Sequence, residues 1–305
     1  MLFDIDRRLA PAENHRNFLP EIASISLCVG AGKMKFTFSV LSVAAFLLLP
    51  LDSRSLGVSK LQASRSTPAN RLVIVELFTS EGCSTCPPAD ALLAGLEARQ
   101  PVEGAQVIAL EEHVDYWNQQ GWIDPYSSVE WTLRQQEYIA KFRENGVYTP
   151  QMIVDGQRQF VGSREHEAEQ AIQESANRAK TDVAVTAQAP ASDRTQQFNV
   201  RVGKLTGNTD RDTAEIWLAV TEKSLASAVR GGENAGRDLH HASVLRMLRK
   251  IGAATAGGES SLAFEASPRV KFKPAWKRQN LQVVVFVQEK KSWRILGAAS
   301  VGVAN

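Results

Sequence analysis

Two cysteines three residues apart, Cys83 and Cys86, stand between an apolar run and a helix-forming segment. This placement restricts the surrounding fold more than any other feature. Leu72, Val73, Ile74, Val75, Leu77 and Phe78 make a β-rich run that stops at the polar turn Thr79-Ser80-Glu81-Gly82. Residues 89–98 then read as a helix. At a helix start, unpaired backbone N–H groups and the positive end of the helix dipole stabilise a thiolate, moving its pKa from about 8.5 towards 7 or below. A second cysteine one turn inside can resolve a mixed disulfide. Cys83 is therefore expected to be the exposed nucleophile and Cys86 the resolving thiol. Ser84-Thr85 offers no histidine to lower the pKa further, and Glu81 adds a negative charge that opposes the thiolate.

The cysteine count sharpens this reading. The chain of 305 residues holds only Cys28, Cys83 and Cys86. Residues 1–33 are polar, mixed in charge and without a folding pattern. Lys33-Met34-Lys35 precedes an apolar stretch over 36–49, followed by Pro50 and Ser53-Arg54-Ser55, so residues 34–55 read as a secretory signal peptide. The stretch is short for a membrane span, which needs about 20 residues; the alternative is an uncleaved N-terminal anchor, and membrane contact is confined to this segment. Cleavage removes Cys28 and leaves an exported, periplasmic or secreted chain whose only thiols form a pair, as suits an oxidising compartment. Residues 56–70 read as a linker. A net charge of +2 gives no electrostatic case for nucleic acid.

Beyond the linker the chain divides by texture. Over 71–180 come a strand, the helix, a buried strand at 106–110, a helix at 127–143 with Val129, Leu133, Tyr138, Ile139 and Phe142 on one face, a strand after Pro150 ending at Asp155-Gly156, a partner strand at 159–161, and a closing helix from Glu165. The order β-α-β-α-β-β-α is that of an α/β thioredoxin-like domain. Pro150 then falls where such a fold sets a cis-proline facing the cysteines. Over 181–305 short alternating runs at 182–188, 196–202, 213–221, 281–287 and 293–301 point to a β-rich, sandwich-like C-terminal domain. A Gly-rich insertion at 231–237 interrupts them, followed by a helix-like 243–251 with Val244, Leu248 and Ile251 on one side.

Several runs together resemble a known family: Glu76 through Asp90 around the cysteines, His113-Val114-Asp115-Tyr116-Trp117, Trp122-x-Asp124-Pro125 with Arg134-Gln135, Tyr148-Thr149-Pro150-Gln151, and Gly232-Glu233-Asn234-Ala235-Gly236-Arg237. They are similar to the bacterial secreted domain-of-unknown-function family 1223. The resemblance covers about residues 70–303 and implies a thioredoxin-like domain followed by a β-rich one, with no established substrate.

The expected site gathers around Cys83, Cys86 and Pro150. Thr149 would offer backbone groups to a bound peptide. His113 and Asp115 fall at the C-terminal end of a central strand, where ligands collect in open α/β sheets, as a proton relay, as metal ligands or as a hydrogen-bonded pair. Either Glu111 or Glu112 would be a buried acid near the resolving thiol, since adjacent strand residues face opposite ways. Trp117, with Tyr116 and Trp122, would form an aromatic lid, Arg134 would pair with Asp115 or Asp124, and His240-His241 would face solvent. These residues favour an exported thiol–disulfide oxidoreductase acting on protein or small-molecule thiols, with an unidentified redox partner and no cofactor. One alternative is a soft-metal protein in which Cys83, Cys86 and His113 hold Cu(I). Another is a redox-silent interaction protein, which a buried Cys83 would favour.

Overall fold

A computed structural model of the chain describes residues 71–189, 194–207, 212–255 and 261–303. The N-terminal extension, the signal peptide at 34–55, the linker and Cys28 lie outside the described residues. No helix among those residues is long and apolar enough to cross a membrane.

The first four strands are β1 (Arg71–Thr79), β2 (Ala105–His113), β3 (Gln151–Val154) and β4 (Arg158–Val161), with helices α1 (Pro87–Arg99), α2 (Val129–Phe142) and α3 (Glu165–Ala176) between and after them. Local signals explain them well. Pro87 and Pro88 open α1, where a missing N–H costs nothing. Ser128 caps α2 by accepting a hydrogen bond from the Glu130 amide. Asp155 and Gly156 turn the β3–β4 hairpin with positive φ at both positions.

The later strands are β5 (Val183–Ala187), β6 (Thr195–Gly203), β7 (Thr213–Ala228), β8 (Asp238–Thr255), β9 (Leu262–Ala266), β10 (Arg269–Lys271), β11 (Leu281–Glu289) and β12 (Ile295–Gly302). They correct the expected fold class. Strand outweighs helix among the described residues, and β7, β8, β11 and β12 join the first four in one mixed sheet of order β12-β11-β7-β8-β2-β1-β3-β4. An α/β domain followed by a separate sandwich-like one is not what forms. The physical reason lies at β2. It runs parallel to β1 on one side, and on the other β8 pairs with it at Glu111 and Val244, so its edge is occupied by the later half of the chain. The sheet also curls: Ile295 at the start of β12 donates its amide to the Asp155 carbonyl in the β3–β4 turn.

Apolar burial follows from this arrangement. The run Val283-Val284-Val285-Phe286-Val287 in β11 is buried on both faces, as a continuous apolar strand should be. Val283, Val285 and Val287 pack towards β5, β6, β9 and β10, which form a second, smaller sheet. Val284 and Phe286 pack on the other face with Ile74, Ile108, Leu110 and Trp131. Helices α1 and α3 cover β1 to β4 through Leu93, Leu96, Ala168 and Ile172.

Two further expectations change. Residues 243–251 are not helical but lie within β8, paired to β7 over most of its length. Register shifts in that pairing, at Ile216/Trp217 and Val220/Thr221, break the two-residue period and let a strand imitate helical spacing. In α2, Val129 and Leu133 point to solvent (56% and 53% exposed), while Trp131, Arg134, Gln135, Tyr138 and Ile139 turn inward. The inward face is partly polar because it serves buried acceptors.

Candidate functional site

Cys83 and Cys86 are bonded as a disulfide across the exposed pair Ser84-Thr85. Cys86 is the N-cap of α1, and its carbonyl accepts the amides of Ala89 and Asp90. The expected exposed nucleophile is not found: Cys83 and Cys86 are both fully buried. The covering element is the turn between β7 and β8, the Gly-rich insertion at 231–237. Asn234 Nδ2 donates to the carbonyls of Glu81 and Cys83, each at 2.9 Å, and Glu233 Oε2 accepts the Ser84 amide at 3.0 Å. The same turn passes so close to the loop at Gly121 that it needs glycine there, because a Cβ on Gly231 would lie 2.2 Å from the Gly121 carbonyl oxygen.

The Thr149–Pro150 bond is cis. A Cβ on Gly162 would meet Pro150, Leu77 and Ala89 at 2.7–3.1 Å, so Pro150 packs one small residue away from the first turn of α1. The Thr149 hydroxyl accepts a hydrogen bond from Trp117 Nε1 at 2.8 Å. Tyr116 donates to Gln135 Oε1, and Trp122 Nε1 donates to Glu81 Oε2 at 2.7 Å. The three aromatic side chains brace the loops around the disulfide.

Beneath it lies a buried charged cluster that brings together distant parts of the chain. His113 Nδ1 is 2.7 Å from Asp124 Oδ2, and the same oxygen accepts the Glu81 amide at 2.9 Å. His241 Nδ1 is 2.8 Å from Glu111 Oε1, and its Nε2 is 3.0 Å from Glu81 Oε1. The His113 and His241 rings meet edge-on with centroids 4.7 Å apart, and Tyr126 packs against both. Asp90, in the first turn of α1, accepts the Thr79 hydroxyl at 2.6 Å.

Charge neighbours move the pKa values in matching directions. Burial opposes protonation of His113, but Asp124 and Glu111 beside it hold its pKa well above the usual imidazole value. His241 is pushed up to about 9, its bonds to Glu111 and Glu81 outweighing desolvation. Burial works against ionising Glu111, yet the two imidazoles pull it down to about 2. Asp90, desolvated and facing Glu111, is raised to about 7.

Several expectations need correction here. His113 does not pair with Asp115, which accepts the Thr132 hydroxyl instead. His241 is buried rather than solvent-facing. Arg134 pairs with neither Asp115 nor Asp124; its Nε donates to Glu76 Oε1 at 2.6 Å. Glu112 does not join Glu111 by the disulfide. Both are fully buried, but Glu112 points to the opposite face with Glu76, Arg134 and Tyr138. A choice of one inward-facing acid fails because both faces of β2 are covered. Among the described residues, the group whose atoms converge as metal ligands do is Glu111, His113 and His241, without either sulfur. Of the cluster, Glu111 was one of the two acids expected near the resolving thiol, whereas Glu81, Asp90 and His241 escaped sequence reasoning as site residues. The sole hint was the conspicuous Gly-rich run over 231–237, which ends four residues before His241.

No curated protein matches the chain. A crystal structure of a protein from Agrobacterium tumefaciens is similar at 24% identity, covering 76% of this chain and 95% of that one with a TM-score of 0.55. HBP35 of Porphyromonas gingivalis is similar at 16% identity, covering 77% of this chain and 76% of that one with a TM-score of 0.52. At these identities the likeness is one of fold alone. Residues 74–288 match the family described as protein of unknown function, DUF1223. That match spans well over half of the chain, and the protein belongs to the DUF1223 family.

Proposed function

We propose that this chain is an exported thiol–disulfide exchange protein whose cysteine pair is shielded by the 231–237 turn. The observation that carries the reading is the position of the pair at the N-terminus of α1, with Cys86 as its N-cap. There the helix end stabilises a leaving thiolate. A substrate thiolate attacks Cys83 Sγ, the Cys83–Cys86 bond breaks, and Cys86 leaves as a thiolate. A second substrate thiolate then releases the substrate disulfide and Cys83, so two electrons enter the pair and two substrate thiols are oxidised. The reverse sequence reduces a substrate. Access requires the turn to lift, breaking the bonds of Asn234 to the Glu81 and Cys83 carbonyls. The basic residues and apolar stretch over 33–49 support export.

The test is the equilibrium reduction potential of the mature protein in glutathione and dithiothreitol buffers, with Cys83→Ser and Cys86→Ser as controls. A reversible two-electron couple lost in both variants is expected. Asn234→Ala gives up two bonds worth about 1 kcal/mol each, so its disulfide should reduce roughly thirtyfold faster in the folded protein. A second reading, a structural and redox-silent disulfide, is favoured by the burial of Cys83; a bonded pair alone is no sign of cycling. In that case reduction follows global unfolding, and no couple appears in native conditions.

A further inference from the structure

The cluster beneath the disulfide contains an arrangement that hydrogen bonding leaves incomplete. His113 Nε2 is fully buried, and it has no hydrogen-bond partner. It faces Glu111 Oε1 at 3.4 Å, and His241 Nδ1 faces the same oxygen at 2.8 Å. The ligand atoms of Glu111, His113 and His241 all lie within 4.8 Å of one another. The outward nitrogen of each imidazole is held by a separate carboxylate: His113 Nδ1 by Asp124 and His241 Nε2 by Glu81. Carboxylates placed behind metal-bound histidines in this way orient the ring and raise its basicity.

We propose that Glu111, His113 and His241 bind one divalent transition-metal ion of the zinc type. Two imidazole nitrogens and a carboxylate oxygen are the donors that such an ion takes. Donors about 2.0–2.1 Å from a tetrahedral zinc stand about 3.3 Å from one another, close to the His113–Glu111 separation of 3.4 Å. The shorter His241–Glu111 contact opens by a few tenths of an ångström when the ion replaces the hydrogen bond. Glu111 Oε2 accepts the Ala242 amide at 2.7 Å, leaving Oε1 as the ligand atom. With both imidazoles neutral, as metal binding requires, a dication supplies the positive charge that the buried carboxylates of Glu81, Glu111 and Asp124 need. The ligands come from β2 and β8, so the ion would staple together the strands where the two halves of the sheet meet. The site uses neither cysteine and stands whether or not the disulfide cycles.

The experiment is metal analysis of the full exported chain, then chelation and titration with Zn²⁺ and Co²⁺. One equivalent of metal is expected, with cobalt ligand-field bands and no thiolate-to-cobalt charge transfer. Asp124→Asn should weaken binding by about 10–100-fold, and Glu111→Gln and His241→Ala should abolish it. Should those variants not fold, the parent protein decides: its melting temperature rises with Zn²⁺ and falls after chelation. A folded parent that neither carries nor takes up metal overturns the proposal. So does binding that survives Glu111→Gln and His241→Ala, or that is lost in Cys83→Ser with Cys86→Ser.

Discussion

Glu111 and Glu112 are neighbours on β2, both fully buried, and each anchors a charged cluster on its own face of the sheet. On one face Glu111 meets two imidazoles, which can exchange a proton or a metal ion for the charge they carry. On the other, Glu112 and Glu76 meet the guanidinium of Arg134, with Tyr138 donating to Glu76 Oε2 at 2.5 Å. A guanidinium stays protonated and offers no lone pair, so the cation of this second cluster can be exchanged for neither a proton nor a metal ion. Alternation along one strand thus separates an exchangeable centre from a fixed one, anchored at adjacent residues. Cation type, rather than burial, makes the difference.

The comparison breaks most visibly at Arg134. Arg134→Met removes the cation and leaves Glu76 as a buried carboxylate without its counter-charge, which should cost about 3–5 kcal/mol in chemical denaturation. A loss under 1 kcal/mol would mean that Tyr138 alone satisfies Glu76 and that the fixed cluster is not held by charge.

Glu112 tests the same cluster with the opposite sign. Burial first, then the charge of Glu76, hold its carboxyl well above the usual range, with Arg134 opposing. Neither oxygen has a hydrogen-bond partner. The folded protein therefore retains a proton that the unfolded chain releases above a pKa of about 4.3. The associated stability is fully present below that pKa and is lost as pH rises through the window up to the folded value. Glu112→Gln should match the parent near pH 4 and exceed it in melting temperature at pH 7–8, each pH unit crossed being worth about 1.4 kcal/mol. A variant less stable than the parent at pH 8 would show Glu112 to be ionised and paired with Arg134.

The smallest effect sharpens the boundary of the fixed cluster. Leu133 stands beside Arg134 in α2 but faces solvent, so Leu133→Gln should change stability by no more than about 0.5 kcal/mol. A larger loss in thermal denaturation would place the apolar face of α2 where its spacing in sequence suggested.

Much of the chain was legible residue by residue. The strand before Cys83, the helix after Cys86 and the Asp155-Gly156 hairpin rest on turn chemistry and short-period apolar patterns, which act within a few residues and so are written locally. The family resemblance was visible for the same reason, in contiguous runs. Which strand would occupy the free edge of β2 was not legible, since strand pairing across the halves of a sheet depends on surfaces that exist only once both have formed. That long-range choice carries His241 to Glu111, 130 residues away, and Asn234 onto the Cys83 carbonyl, 151 residues away. The sequence by itself determined where a cysteine pair meets a helix; only the tertiary structure decided that the pair is covered and that two histidines and a glutamate converge beneath it, because burial and charge compensation are settled between segments that local pattern cannot connect.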